Sequence, residues 1–538
     1  MKNLLLFALF LFASIKFSVA QNVYSKIGLT GEQREKFIQR ALMFRKGEDF
    51  EKAIKTVDSI LTLEPKDAGA LLLKGDMQLQ QRAFGDAVKT FESLLDLNYE
   101  PVTIRINLSY ALFMQHHPAK AIKFAKMAWE LDKNSQNAII NYFNAMLWNI
   151  RTKDAAAFLS EQEAKLSAEQ RLLLKARLLT TSGDYKKGLA HYDSLTLKFP
   201  NKHYVKEYAE VLLGKKEFKE SLHSMTRDTA LFSPKELREY MDKYKAWRRQ
   251  NAGTEFSYFK DVGDNIRLEN AIWWQQGEGR IYRLSLRAGL GSVESPNVEK
   301  TKLQFAHINI TERWSKAWSG TTDVHFQWID PAGRERYFGL TGKQTIQYQP
   351  HDRKMIGVFI GSDILNYTAS LLGQKIRSTN LGYVTHIMLG GKYGFYSQGN
   401  IGFLTDDNMS QQFFGSFYHL FRTEPTFKAG INFSALHYRD NSIQYYFSPN
   451  RYLSTELFLD YTTPLPLISS FYFQVQGAAG MQQIEKQSWE SAFRIQPEIG
   501  FRLRHFESSF RYQTSNVASS TGTGYRFNWF TLRLAWRW

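Results

Sequence analysis

The chain of 538 residues contains no cysteine. That excludes a disulfide framework, thiolate metal ligands and lipid attachment through an N-terminal cysteine. An oxidising compartment is allowed, not required. No window approaches the ~20 apolar residues of a spanning helix, so membrane insertion would have to come from strands. There is no glycine-rich phosphate loop, and nucleotide use is not indicated. There is also no dense block of one charge, although the chain carries a net +17. Residues 251–538 hold 29 Lys+Arg and 23 Asp+Glu, and residues 1–250 hold 40 and 29. A basic balance can suit an anionic partner or a membrane surface. Here the signs are mixed along the helices, and no nucleic-acid partner is expected.

The two ends are informative. Lys2 precedes the apolar run Leu4 to Ile15, and Ser18-Val19-Ala20 offers small residues for cleavage. Residues 1–20 read as a secretory signal peptide and residues 21–31 as a linker. At the other end, Phe530, Leu532, Leu534, Trp536 and Trp538 alternate with a set that includes Thr531, Arg533 and Arg537. Alternate residues of a strand point to opposite faces, so one face meets lipid and the other water. An outer-membrane barrel typically closes on such a strand. Those five apolar residues are the expected barrel assembly signal, with outer-membrane lipid and the barrel-assembly machinery as partners.

Residues 32–250 read as a helical repeat. Ala53, Ala87, Ala121 and Ala155 are spaced 34 apart, in phrases such as Phe50-Glu-Lys-Ala53 and Phe84-Gly-Asp-Ala87. Gly75 holds the small position of a first helix, and Gly188 marks a degenerate later unit. A 34-residue period of paired helices resembles the tetratricopeptide repeat. About six units are expected over residues 32–232, capped by a helix over 234–250 that opens at Ser233-Pro234. Stacked pairs leave a groove that usually binds protein, so periplasmic proteins are the expected partners. Trp129, Trp148 and Tyr142 read as core. His116-His117 lacks further ligands at helical spacing.

Residues 251–538 read as a barrel. Tyr282, Leu284 and Leu286 oppose Arg283, Ser285 and Arg287, and Val324, Phe326 and Trp328 oppose Asp323, His325 and Gln327. Phe493, Ile495, Ile499, Phe501 and Leu503 alternate with Arg494, Gln496, Glu498, Arg502 and Arg504. Charge on one face and grease on the other needs a polar lumen within lipid. At about 18 residues per strand and turn, the length suits about 16 strands, with 14 also possible. Trp273-Trp274, Trp314, Trp318 and Trp529 suggest interfacial girdles. The fold class is therefore α+β multidomain: an all-α repeat solenoid, then an antiparallel transmembrane β-barrel.

Closure would gather Arg283, Arg287, Arg494, Arg502, Arg504, Arg511, Arg533 and Arg537 toward one inward wall. Such a basic stripe would attract anions. Pairing with Glu269, Glu498 and Glu507 would instead make the wall rigid without selecting a solute. The histidines His325, His386, His419, His437 and His505 have no positioned nucleophile or metal-binding spacing. No catalytic, cofactor-binding or metal residue is expected, nor any cofactor.

The combination resembles the outer-membrane exporters of exopolysaccharide, those for poly-N-acetylglucosamine and bacterial cellulose. Tyr445-Tyr-Phe-Ser-Pro-Asn-Arg-Tyr452 is similar to an aromatic-Ser-Pro-x-x-Tyr phrase of those barrels. Tyr396-Ser-Gln-Gly-Asn400 is similar to their Tyr-Ser-Asp-Gly-Asn turn, with Gln398 in place of the acid. The resemblance implies a polysaccharide passing through the lumen and repeats that recruit periplasmic partners. The alternative is a membrane-anchored periplasmic scaffold for a secretion or envelope-assembly complex. Pro449 cannot donate to a sheet ladder and reads as loop geometry before the next strand.

Overall fold

The computed structural model describes residues 29–538, apart from 279–281, 332, 352, 390–391, 424, 442–445, 465–469 and 518–525. The expected signal peptide and most of the linker lie outside the described residues. The chain divides into two compact units, one ending at Ser182 and one beginning at Gly183.

Among the described residues the helical part runs through twelve α-helices in chain order, from Gly31–Lys46 and Phe50–Leu63 to Lys202–Gly214 and Phe218–Arg227. A single helix, Pro234–Trp247, follows them. The local chemistry explains the boundaries. Side chains of Asp49, Asp67, Ser135, Asp184, Asn201 and Ser233 accept hydrogen bonds from the first turns that follow them. Each such cap is worth about 1 kcal/mol. Asp67 also takes Arg34 bidentately, at 2.6 and 2.8 Å. That hydrogen-bonded guanidinium holds the Asp67 carboxyl below its ordinary value. At Ser233 a full capping box forms with Glu236. Its backbone hydrogen bond, with help from Lys202, lowers Glu236 to about 2.

Packing follows the repeat. Phe50–Leu63 buries Ala53, Val57 and Ile60, one stripe at helical spacing. Ala53, Ala87, Ala121 and Ala155 are all fully buried, and Gly188 is buried on Tyr185–Lys198. Trp129 stacks on Tyr142 at 5.6 Å, and Trp148 stacks on Phe113 at 4.1 Å. Gly75 needs to be glycine for space: a Cβ there would lie 2.5 Å from the Phe91 ring.

The second part is a closed antiparallel barrel of sixteen strands, from β1 (Asn251–Asp261) to β16 (Phe527–Arg537). Each strand pairs with its neighbours in sequence, and β1 closes on β16 with Phe256 opposite Leu532. No strand is left with an open edge in lipid. The outward face is apolar and uncovered by protein, with Ile272, Leu290 and Leu457 each more than 60% exposed. Trp536 and Trp538 lie on that face too, at 58% and 57%. The turns at the end where β1 begins meet the last repeat helices. Arg313 donates to Glu217 at 3.2 Å, Lys216 pairs with Glu278 at 3.1 Å, and the Glu278 N–H donates to the Trp247 carbonyl at 3.1 Å.

Gly75→Val forces a branched side chain against a fully buried ring. Overpacking of this kind costs about 1–3 kcal/mol. The helical far-UV signal of the full chain should lose its cooperative melt at a lower temperature, while the barrel's heat-resistant gel mobility is kept. An unchanged melting midpoint would contradict this packing.

Candidate transport lumen

The register fixes which side chains face inward. In β1 and β16 these are the odd-numbered residues, among them Glu255, Ser257, Arg533 and Arg537. The same alternation puts Glu269 of β2 (Ile266–Gln275) and Arg287 of β3 (Tyr282–Ser295) inward. Arg494, Glu498 and Arg502 of β14 (Glu490–Arg502) and Arg511 of β15 (Phe506–Ser515) complete the wall.

This wall is a lattice of ion pairs. Arg287 reaches Glu255 at 3.0 Å and Glu269 at 3.1 Å. Arg267 also holds Glu269, at 2.7 Å. Arg511 pairs with Glu498 at 2.6 Å, and Arg502 with Glu507 at 2.9 Å. Arg537 pairs with Glu507, and Arg494 with Glu456 of β12 (Tyr452–Pro464). Arg283 pairs with Glu278 in the turn before its strand, at 2.8 Å. Tyr472 of β13 (Phe471–Ile484) donates to Glu498 or Glu507, at 3.1 and 3.2 Å. Arg533 differs: its guanidinium lies 3.9 Å from the Trp273 ring centroid. Gly253 and Ala535, small residues in register with Trp273, leave that indole room beside the seam.

Two expectations need correction. Arg504 is not on the inward wall. It lies in the turn after β14, pairs with Asp242 at 3.7 Å, and its carbonyl accepts from Arg249 at 2.8 Å. The strand ends before it, so the alternation that suggested an inward face does not extend to it. Trp273 and Trp529 are not girdle residues, because both fall on the inward parity. Trp529 donates to Ser257 at 2.6 Å. Trp274 and Trp318 do face outward, and Trp318 packs on Tyr348 at 4.8 Å.

Beside the ion-pair wall, the lumen carries a cavity of about 510 Å³. Its lining includes Tyr396, Phe414, Tyr418, Phe458, Asp460 and Gln496. Asp460 accepts from Lys428 at 3.2 Å and from Gln476 at 3.1 Å through one oxygen. Its other carboxylate oxygen, and one of Glu456, are buried without a hydrogen-bond partner among the described residues. Of the similar phrase at 396–400, Tyr396 donates to Gln398 at 2.9 Å, and both lie on β9 (Tyr393–Leu404) rather than in a turn.

The opposite end of the barrel is capped by loops folded inward. The loop between β7 (Lys354–Ile364) and β8 (Arg377–Leu389) carries a short helix, Ala369–Gln374. It reaches across to β2 and β3: the Ala369 N–H donates to Ser295 at 2.9 Å, and Arg267 donates to the Asn366 carbonyl at 3.2 Å. Leu365, Leu371 and Ile376 pack with Tyr438, Tyr446 and Tyr452. Tyr446, from the Ser-Pro phrase, donates to Asp406 at 2.8 Å and accepts from Asn408 at 3.0 Å. The Pro449 carbonyl accepts from Tyr438 at 2.8 Å, and β12 starts three residues later. Sequence periodicity could not place this cap, since loops have none.

Residues 373–538 match the family of the cellulose synthase operon protein C C-terminus, and residues 38–97 match the tetratricopeptide repeat. No curated protein matches the chain. Among solved structures, a bacterial polysaccharide outer membrane secretin is 9% identical with a TM-score of 0.43, over 54% of this chain and 99% of its own. OccK5 (OpdH) of Pseudomonas aeruginosa is 12% identical with a TM-score of 0.32, over 54% and 98%. A tetratricopeptide repeat protein from Parabacteroides merdae is 16% identical with a TM-score of 0.31, over 40% and 90%. The closed sixteen-stranded barrel, its apolar belt and the two family matches identify the chain as a tetratricopeptide-repeat protein fused to an outer-membrane β-barrel.

Proposed function

We propose that the barrel exports an exopolysaccharide and that the periplasmic repeats of residues 32–250 recruit the proteins that deliver it. The observation that carries this reading is the lumen cavity, lined mostly by residues of the matched segment. It sets aromatic rings beside amides and a carboxylate oxygen that has no hydrogen-bond partner among the described residues. A sugar polymer presents C–H faces to rings and hydroxyls to such acceptors, and it needs no covalent chemistry to pass. The barrel acts as a conduit, not an enzyme. The outward residues Phe530, Leu532, Leu534, Trp536 and Trp538 serve its insertion by the barrel-assembly machinery.

The arginine wall is braced by its own carboxylates on either side of the seam. Its cations face carboxylates at hydrogen-bond distance, so it presents paired charge to the lumen. A neutral polymer can pass such a wall without being held by it. The capping loops close the resting channel and must move aside for export. A scaffold that never transports would have no need of movable loops as its closure.

Two outcomes follow. Glu498→Gln with Glu507→Gln frees cationic charge on the wall, so single-channel current through loop-opened barrels should shift toward anions by severalfold; unchanged selectivity would contradict the paired wall. The chain has no native cysteine, so Ser295→Cys with Ala369→Cys can lock the cap. Oxidation should stop polymer release and reduction should restore it, whereas release that continues with the lock formed would rule out this route.

A further inference from the structure

The middle of the lumen wall carries a second chemistry. β4 (Val298–Arg313) and β5 (Trp318–Asp330) are hydrogen-bonded neighbours, with His307 directly opposite His325 and Asn309 opposite Asp323. All four side chains share the inward parity. The two imidazoles stack with centroids 3.9 Å apart. His307 Nε2 lies 3.1 Å from Asp323 Oδ1. One ligand atom from each of His307, Asp323 and His325 falls within 4.8 Å of the others.

We propose that His307, Asp323 and His325 form a binding site for a divalent transition-metal ion of the zinc type, open to the lumen. The donor set is two imidazoles and one carboxylate. That set suits zinc, cobalt, nickel or copper, whereas calcium and magnesium prefer oxygen alone. Tetrahedral zinc with bonds of about 2.0–2.1 Å needs ligand atoms about 3.3 Å apart. Side-chain rotation that draws the ligand atoms in from their present spread of up to 4.8 Å would supply that. The site also has an orienting partner, because Asn309 Nδ2 donates to Asp323 Oδ1 at 2.7 Å. Such outer contacts fix a ligand's direction. A cavity of about 210 Å³ lies in front of both histidines, bordered by Phe305, Gln327 and Asn366. It gives the fourth coordination position room for water or for an oxygen of a passing solute.

The neighbouring cations do not defeat the site. Arg287 stands opposite His307 on the other side, but its guanidinium is held by Glu255 and Glu269 and lies 4.7 Å from the Phe305 ring centroid. Lys343 stands opposite Asp323, but its ammonium lies 4.0 Å from the Phe359 ring centroid. The site also lies outside residues 373–538, so the family match there does not bear on it.

The test uses the full chain, purified in detergent and stripped with chelator, titrated with Co²⁺ and then with Zn²⁺. One Co²⁺ per chain should bind with the intense visible absorption of a four-coordinate site, and Zn²⁺ should displace it. Asp323→Asn and His325→Gln should each weaken binding at least tenfold. Asn309→Ala should weaken it by roughly 10–100-fold, as loss of an orienting contact does. Acidification should release the ion, because the ligands must be deprotonated. Heat-resistant gel mobility reports whether each variant is still a folded barrel. A wild-type chain without a saturable cobalt spectrum would overturn the proposal. So would folded Asp323→Asn and His325→Gln proteins that both bind as tightly as the wild type.

Discussion

The hydrogen bonding of β1 to β16 is the constraint on which the rest of the structure depends. In hydrocarbon an unpaired backbone N–H or C=O costs several kcal/mol, so a sheet there must have no edge. Closure with Phe256 opposite Leu532 satisfies the first and last strands together. It also decides what meets across the seam. Across it the Arg533 guanidinium meets the Trp273 ring and Trp529 donates to Ser257. The arginine–carboxylate pairs lie on either side of it, Arg287 with Glu255 and Glu269, and Arg511 and Arg537 with Glu498 and Glu507.

The lumen then divides its work by position. Around the seam, paired charges and the Tyr472 hydroxyl make a wall of charge-assisted hydrogen bonds. Beside it, rings and amides line the cavity of about 510 Å³, where Asp460 keeps one oxygen without a hydrogen-bond partner among the described residues. At the outer mouth, the loops around Ala369–Gln374 and Tyr446 bury apolar side chains among themselves. Their polar anchors include Ala369 to Ser295, Arg267 to the Asn366 carbonyl, Tyr337 to the Leu372 carbonyl and Tyr446 to Asp406. At the inner mouth, Glu217, Asp242 and Glu278 tie the last repeat helices to the barrel turns.

Much of this was legible in the sequence, for a physical reason. Burial in a helix pair imposes a 34-residue period, which is why Ala53, Ala87, Ala121 and Ala155 stand out and prove fully buried. A lipid-facing strand imposes a period of two, which is why the faces of β3 and β14 can be assigned before any coordinates. What could not be read were meetings between distant strands. Glu255 and Glu456 carry no local mark that they hold Arg287 and Arg494. His307 and His325 are brought together by hairpin register and not by ligand spacing along the chain. Arg504 misled because alternation continues past the point where hydrogen bonding stops. Trp273 and Trp529 misled because an aromatic near a strand end can serve the lumen as well as the interface.

The central claim is that polymer leaves through this lumen. The most direct measurement is the amount of polymer in periplasm and in medium for cells lacking the chain, for cells given it back whole, and for cells given residues 1–250 only. Loss of the chain should trap polymer in the periplasm; the whole chain should release it and the repeats alone should not. Secretion that persists without the chain, or that returns with the repeats alone, would contradict the account.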